Sequence, residues 1–164
     1  LLMAGVERND EVLMPALTFV ATANAVSYCG ARPHFVEVEE CSLGIDVPKL
    51  RKYLVQIVER RGRETFNKNT GRRLIAIVPV HLFGHIGDLN ELMLVAAEYG
   101  LKVVEDATEA LGSRYRHRHA GTFGDFGVLS FNGNKTITTA EGAVLLTDNH
   151  DMAERLYQLK NHGR

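Results

Sequence analysis

The segment Ser130-Phe131-Asn132-Gly133-Asn134-Lys135 holds the most reactive side chain in a suggestive place. A lysine just past an apolar strand can reach an aldehyde and form a Schiff base, provided partial desolvation leaves enough neutral amine. A solvated loop lysine is the ordinary alternative. Asp106 follows the apolar pair Val103-Val104, where an ionised carboxylate is costly unless it is paired. The protonated ring nitrogen of pyridoxal phosphate is one suitable partner, and that pairing keeps the ring an electron sink. A helix cap or an internal ion pair would satisfy Asp106 equally well. Ser130 lies just upstream of Lys135, where its hydroxyl can hold a phosphate while Gly133 lets the backbone turn. Phe19 opens an apolar helical run and can either stack on a flat ring or pack in the core. None of the four is specific alone. Their order is the informative part: an aromatic, an Asp after one strand, then Ser and Lys after the next.

These residues need elements to carry them. Short β-branched runs alternate with longer amphipathic ones. Strands are expected at Glu11 to Met14, His34 to Val38, Leu74 to Val80, Leu101 to Glu105, Val128 to Phe131 and Ala143 to Leu146. Helices are expected over Thr18 to Cys29, stopped by Gly30, and over Val47 to Arg60, capped by Asp46 with Pro48 in the first turn. Asp88 and Glu91 resemble a capping pair for a helix ending at Gly100, and Asn149 or Asp151 opens a last helix running to about Leu159. Gly62 to Arg73 reads as polar turn chemistry. This alternation predicts an α/β unit: a mostly parallel sheet with helices on both faces. In such sheets ligands gather at the carboxyl ends of strands, where His81, Glu105, Asp106, Glu109, Ser130, Asn132, Asn134 and Lys135 all fall.

The bulk properties exclude several classes. The chain has 164 residues, 45% hydrophobic and 24% charged, which suits one globular domain. A formal net charge of −1 argues against a dedicated nucleic-acid binder. Cys29 and Cys41 are the only cysteines, so neither a disulfide framework nor zinc spacing is present. The longest apolar stretch, Leu74 to Gly84, is interrupted by Pro79 and His81 and is too short to span a bilayer. No secretory signal is visible, so a cytoplasmic location away from membranes is the default expectation. His81 and His85 have Gly84 between them and do not form a helical metal pair. Arg116-His117-Arg118-His119 reads as a solvated turn in a hairpin, and Gly121-Thr122-Phe123-Gly124 lacks the spacing of a dinucleotide loop. No metal site is expected.

Five stretches resemble the DegT-type sugar aminotransferases, fold-type-I enzymes dependent on pyridoxal 5′-phosphate. They are Pro15 to Ala25, Pro79 to Gly84, Glu105 to Gly112, Gly121 to Gly124 and Ser130 to Lys135. They occur in the family's order and cover nearly the whole chain. The resemblance implies that Lys135 is the Schiff-base lysine, that Asp106 partners the pyridine nitrogen, and that Ser130 binds phosphate. It also implies that Phe19 stacks on the ring, and that Glu109 occupies a position near the ring that is commonly Gln. The insertion Phe66 to Arg73 and the two motifs around Asp106 and Lys135 look like enzymes that aminate nucleotide-linked 4-keto-6-deoxy amino sugars. Those serve bacillosamine- or legionaminic-acid-type pathways. Thr139-Ala140-Glu141-Gly142 departs from the more glycine-rich turn of that subgroup.

The resemblance further implies glutamate as the amino donor, a nucleotide-sugar substrate and a homodimer. It implies that the strand Ala143 to Leu146 runs antiparallel to the others. The apolar start at Leu1 and the end at Arg164, just after an apparent helix, suggest part of a longer protein. On this reading residues 1–164 form a partial cofactor-binding large domain. The family's Gly-Thr-Ala-type phosphate loop would lie upstream and its small domain downstream, and the segment alone is expected to be inactive. The competing reading is a non-catalytic scaffold or oligomerisation piece of the same fold. A dehydratase relative, in which histidine replaces the Schiff-base lysine, is disfavoured by Lys135.

Overall fold

Strand and helix alternate along the chain in the computed structural model, which describes residues 1–161. The chain's end past its last helix, residues 162–164, lies outside the described residues. The order is β1 (Glu11–Pro15), α1 (Val20–Tyr28), β2 (Arg32–Val36), α2 (Val47–Ile57), β3 (Val58–Arg61), β4 (Glu64–Asn67) and β5 (Leu74–Ile77). Then follow α3 (Leu89–Tyr99), β6 (Lys102–Asp106), β7 (Arg114–Tyr115), β8 (Arg118–His119), β9 (Phe126–Ser130), β10 (Ala143–Leu146) and α4 (His150–Lys160).

Six strands form one sheet in the order β10-β9-β6-β5-β1-β2. All neighbouring pairs are parallel except β10 with β9. The link from Phe131 to Gly142 holds no crossover helix, so β10 can only return antiparallel. Side chains alternate between the two faces along each strand. Leu13, Ile77 and Val103 face one cluster with Leu50, Leu54, Leu92 and Val95 of α2 and α3. Val12, Met14, Ala76, Val78 and Val104 face a second cluster with Val26 of α1, joined by Met152 and Leu156 of α4. The expected α/β architecture, a mostly parallel sheet covered on both faces, is therefore present.

Most boundaries differ from the sequence reading by one or two residues, β9 starting at Phe126 rather than Val128 among them, and three differences have a clear physical reason. The helix expected over Val47 to Arg60 stops at Ile57, and the turn region beyond it holds a strand. Val58–Arg61 pairs antiparallel with Glu64–Asn67 around Gly62, whose φ is +64°. Arg60 then donates to the carbonyls of Glu98 (2.7 Å) and Tyr99 (3.0 Å) at the end of α3. Those tertiary bonds outweigh a local preference that favoured more helix. The strand expected over His34 to Val38 begins at Arg32 and ends at Val36, in register with Glu11 to Pro15. The strand expected over Leu74 to Val80 ends at Ile77. Extended backbone continues, with Val78 N–H donating to Leu13 O at 2.8 Å, but Pro79 has no N–H for the ladder. The hairpin expected around Arg116 and His117 is formed as β7–β8, with both residues at positive φ.

Candidate active site

At the carboxyl ends of β6 and β9 the sheet opens on a cavity of about 650 Å³. Phe19, Asp106, Glu109, Ser130 and Lys135 all line it, together with Thr22, Thr108, Asn132 and Asn134. The five residues singled out from sequence thus share one wall.

Each arrives by a different element. Phe19 is the residue before α1, with extended backbone, and its ring is 62% exposed, so core packing does not account for it. Asp106 ends β6. Its Oδ2 accepts the Thr22 hydroxyl at 2.6 Å and its Oδ1 accepts the Thr108 N–H at 3.2 Å. No cationic side chain pairs with it among the ion pairs of the described residues. Glu109 Oε2 accepts the Phe83 N–H at 2.9 Å, and its Oε1 lies 3.7 Å from Lys135 Nζ. The Lys135 side chain is only 17% exposed. Its backbone N–H donates to Asn132 O at 3.0 Å, which closes the turn past β9. Ser130 ends β9, and its Oγ accepts the Asn132 N–H at 3.4 Å. That leaves the hydroxyl proton free for an anion.

The neighbouring Glu105 plays another part. Successive strand residues point to opposite faces, and Glu105 is fully buried behind the cavity. It accepts the N–H groups of Gly121 (2.9 Å), Phe123 and Gly124 (2.8 Å), and it contacts His81 Nε2 at 3.0 Å. Burial raises its proton affinity, but His81 and the loop N–H groups outweigh that and hold the carboxyl below its ordinary range. An ionised carboxylate only accepts, so His81 Nε2 is the donor. Gly124 lies so close to β6 that a Cβ there would come within 2.5 Å of Val103 O. Glu105 and this loop hold β6 and β9 together beneath Asp106. Sequence reasoning grouped Glu105 with the site residues and did not find Thr22; a buried hydroxyl opposite Asp106 has no local signature.

Chemically the wall offers a primary amine, two carboxylates, a hydroxyl free to donate and an exposed aromatic face. That set suits a flat electrophilic ring carrying a cationic atom and an anionic group. The described residues contain no group of three or more His, Cys, Asp or Glu able to hold a metal ion. No helix among them is long and apolar enough to cross a membrane.

Comparison with known proteins gives consistent likenesses. The profile of the DegT/DnrJ/EryC1/StrS aminotransferase family matches residues 1–164. GDP-perosamine synthase of Caulobacter vibrioides is 37% identical over 163 residues, covering 99% of this chain and 40% of that protein. The structure of S. venezuelae DesV in complex with a ketimine intermediate matches with a TM-score of 0.82 and 34% identity, over 99% of this chain and 40% of that one. The structure of NtdA from Bacillus subtilis with bound cofactor PMP matches with a TM-score of 0.76 and 31% identity, over 96% and 32%. The chain spans about 40% of the length of the curated relatives it matches first.

Proposed function

The chain belongs to the DegT/DnrJ/EryC1/StrS aminotransferase family, and from that premise we propose that the protein carrying it transfers an amino group to a nucleotide-linked 4-keto-6-deoxy sugar, with glutamate as donor. The carrying observation is the convergence of Phe19, Asp106, Glu109, Ser130 and Lys135 on one cavity at the strand ends. Supporting it are the likeness to a GDP-perosamine synthase and to a structure holding PMP.

The donor set fits pyridoxal 5′-phosphate. Asp106 is a carboxyl group with no side-chain cation paired to it among the described residues, held at the cavity wall by two hydrogen-bond donors, which suits a protonated ring nitrogen. The Ser130 hydroxyl suits the phosphate, the Phe19 face suits the ring, and Lys135 supplies the amine for the aldehyde carbon. When bound, this cofactor supplies an electron sink that makes an amino acid's α-proton removable.

The residues' own tasks follow. Lys135 Nζ would take the proton from the donor's α-carbon and return it one step further along as general acid. Low exposure limits its hydration, and Glu109 Oε1 lies beside it at 3.7 Å. Asp106 would hold the ring nitrogen's proton and so keep negative charge off the α-carbon. Phe19, Val104 and Val128 line the same cavity and would limit water beside that ring.

On the same reading, residues 1–164 are part of a cofactor-binding large domain, the working protein is a homodimer, and its place is the cytoplasm, where nucleotide-activated sugars are made. The test uses the full-length protein. Loading with pyridoxal phosphate should give visible absorbance, and borohydride followed by peptide mass analysis should place the added mass on Lys135. Release of 2-oxoglutarate from glutamate should depend on a nucleotide-linked keto sugar. Label on another lysine, or no dependence on the sugar, overturns the reading; native mass spectrometry showing a fully active monomer overturns the dimer.

A further inference from the structure

The first turn of α1 carries a hydroxyl that both donates and accepts a hydrogen bond. Thr22 is 9% exposed, and its Oγ1 lies 2.6 Å from Asp106 Oδ2. A hydroxyl has one proton and an ionised carboxylate can only accept, so Thr22 is the donor. The lone pairs of Thr22 Oγ1 in turn receive the Thr18 hydroxyl at 3.1 Å. Thr108 N–H holds the other carboxylate oxygen from the loop after β6, at 3.2 Å. Both oxygens of Asp106 are therefore tied, one from α1 and one from its own loop, and two such bonds fix the plane of a carboxylate. Thr22 N–H also donates to Phe19 O at 3.1 Å, so the same residue sets the helix end that carries the exposed ring. Packing does not explain the residue type, since valine has nearly the same shape; the hydroxyl is what the site uses.

We propose that Thr22 is a positioning residue of the amino transfer: its hydroxyl fixes the Asp106 carboxylate, and with it the proton on the cofactor's ring nitrogen, while docking the Phe19 end of α1 onto β6. The proposal rests on the reading of Asp106 given above. Thr22 itself touches no reacting atom. Its loss should leave the donor's access unchanged and weaken the charge-assisted bond that orients the acid.

The experiment uses the full-length protein loaded with pyridoxal phosphate labelled with ¹⁵N in the ring, and compares Thr22→Val, Thr22→Ser and Asp106→Asn. Thr22→Val is expected to move the ring-nitrogen resonance toward the unprotonated position. It should lower kcat about tenfold, the equivalent of one charge-assisted hydrogen bond, with KM for glutamate within about twofold. Thr22→Ser, which keeps the hydroxyl, is expected to restore both. An unmoved resonance with unchanged kcat in Thr22→Val overturns the proposal. So does equal impairment in Thr22→Val and Thr22→Ser, which would indicate packing alone. If Thr22→Val does not fold, Thr22→Ala replaces it with the same expectations. If Asp106→Asn also leaves the resonance unmoved, the reading of Asp106 fails and Thr22 falls with it. If Asp106→Asn moves the resonance and Thr22→Val does not, only the role of Thr22 is refuted.

Discussion

Lys135 and Glu109 face each other across 3.7 Å in a wall where little else is charged. If Lys135 moves the proton, Lys135→Ala in the full-length protein should lower kcat by roughly 10²- to 10⁴-fold, the range of one general acid–base group. Its melting temperature should change little, because a lysine on a loop contributes little packing. Steady-state kinetics with parallel calorimetry checks both, and full turnover without Lys135 would overturn its role as the proton-transferring group. A second residue-scale prediction concerns the loop that carries the lysine. Ala140 adopts φ +69°, the left-handed region that costs a residue with a Cβ roughly 1–2 kcal/mol. Glycine's extra unfolded-state entropy takes back about 0.5–1 kcal/mol. Ala140→Gly should therefore stabilise the protein by about 0.5–1 kcal/mol, seen as a higher denaturant midpoint at unchanged slope.

Helix ends belong to the next scale up. Asp46 Oδ1 accepts the Lys49 N–H at 2.9 Å and caps α2, whose Leu50, Leu54 and Ile57 are buried against the sheet. The backbone N–H of Lys49 holds the Asp46 carboxyl below its ordinary range. Asp46→Ala should cost about 1 kcal/mol and Asp46→Asn clearly less, because asparagine still accepts from that N–H. Chemical denaturation of the pair decides it, and equal losses would show that the side-chain bond is not the cap. The other end of α2 is set differently. Val58 to Arg61 leaves the helix because pairing with β4 lets Arg60 reach the carbonyls that end α3. One end is thus a local matter, and the other depends on an element far along the chain.

For the whole molecule, the buried acid behind the site governs behaviour in acid. Glu105 is 0% exposed, and its folded proton affinity lies below the unfolded carboxyl's, near 4.3, because His81 and three loop N–H groups outweigh burial. A group depressed on folding stabilises the fold above its unfolded value and loses that contribution as pH falls through its folded value. Stability should hold from neutrality to about pH 4 and fall steeply below it. Glu105→Gln should cost about 1–3 kcal/mol at pH 7 through its unpaired contacts and flatten the acid limb. Melting temperature against pH for both proteins is the check, and an unchanged acid limb would exclude Glu105 as its source.

The alternation of strand and helix and the caps at Asp46 and Asp88 were legible in the chain. The sequence does not choose between Asn149 and Asp151 as the cap of the last helix, which is Asn149, and the antiparallel β10 came from the resemblance, with the short link before it agreeing. Periodicity and caps depend on residues within a turn or two of one another, where side-chain chemistry acts directly. The order aromatic, Asp, Ser, Lys was legible too, because a strand-end rule converts sequence position into place. What the chain could not disclose was the company those residues keep. Thr22 and Asp106 lie 84 positions apart, and Glu105 meets Gly121 and His81 from other segments. Nor did local pattern separate the end of α2 from the start of β3. Such pairings exist only once β6 lies between β5 and β9 and α1 covers its face, so the packing of the sheet, not any local preference, decides them.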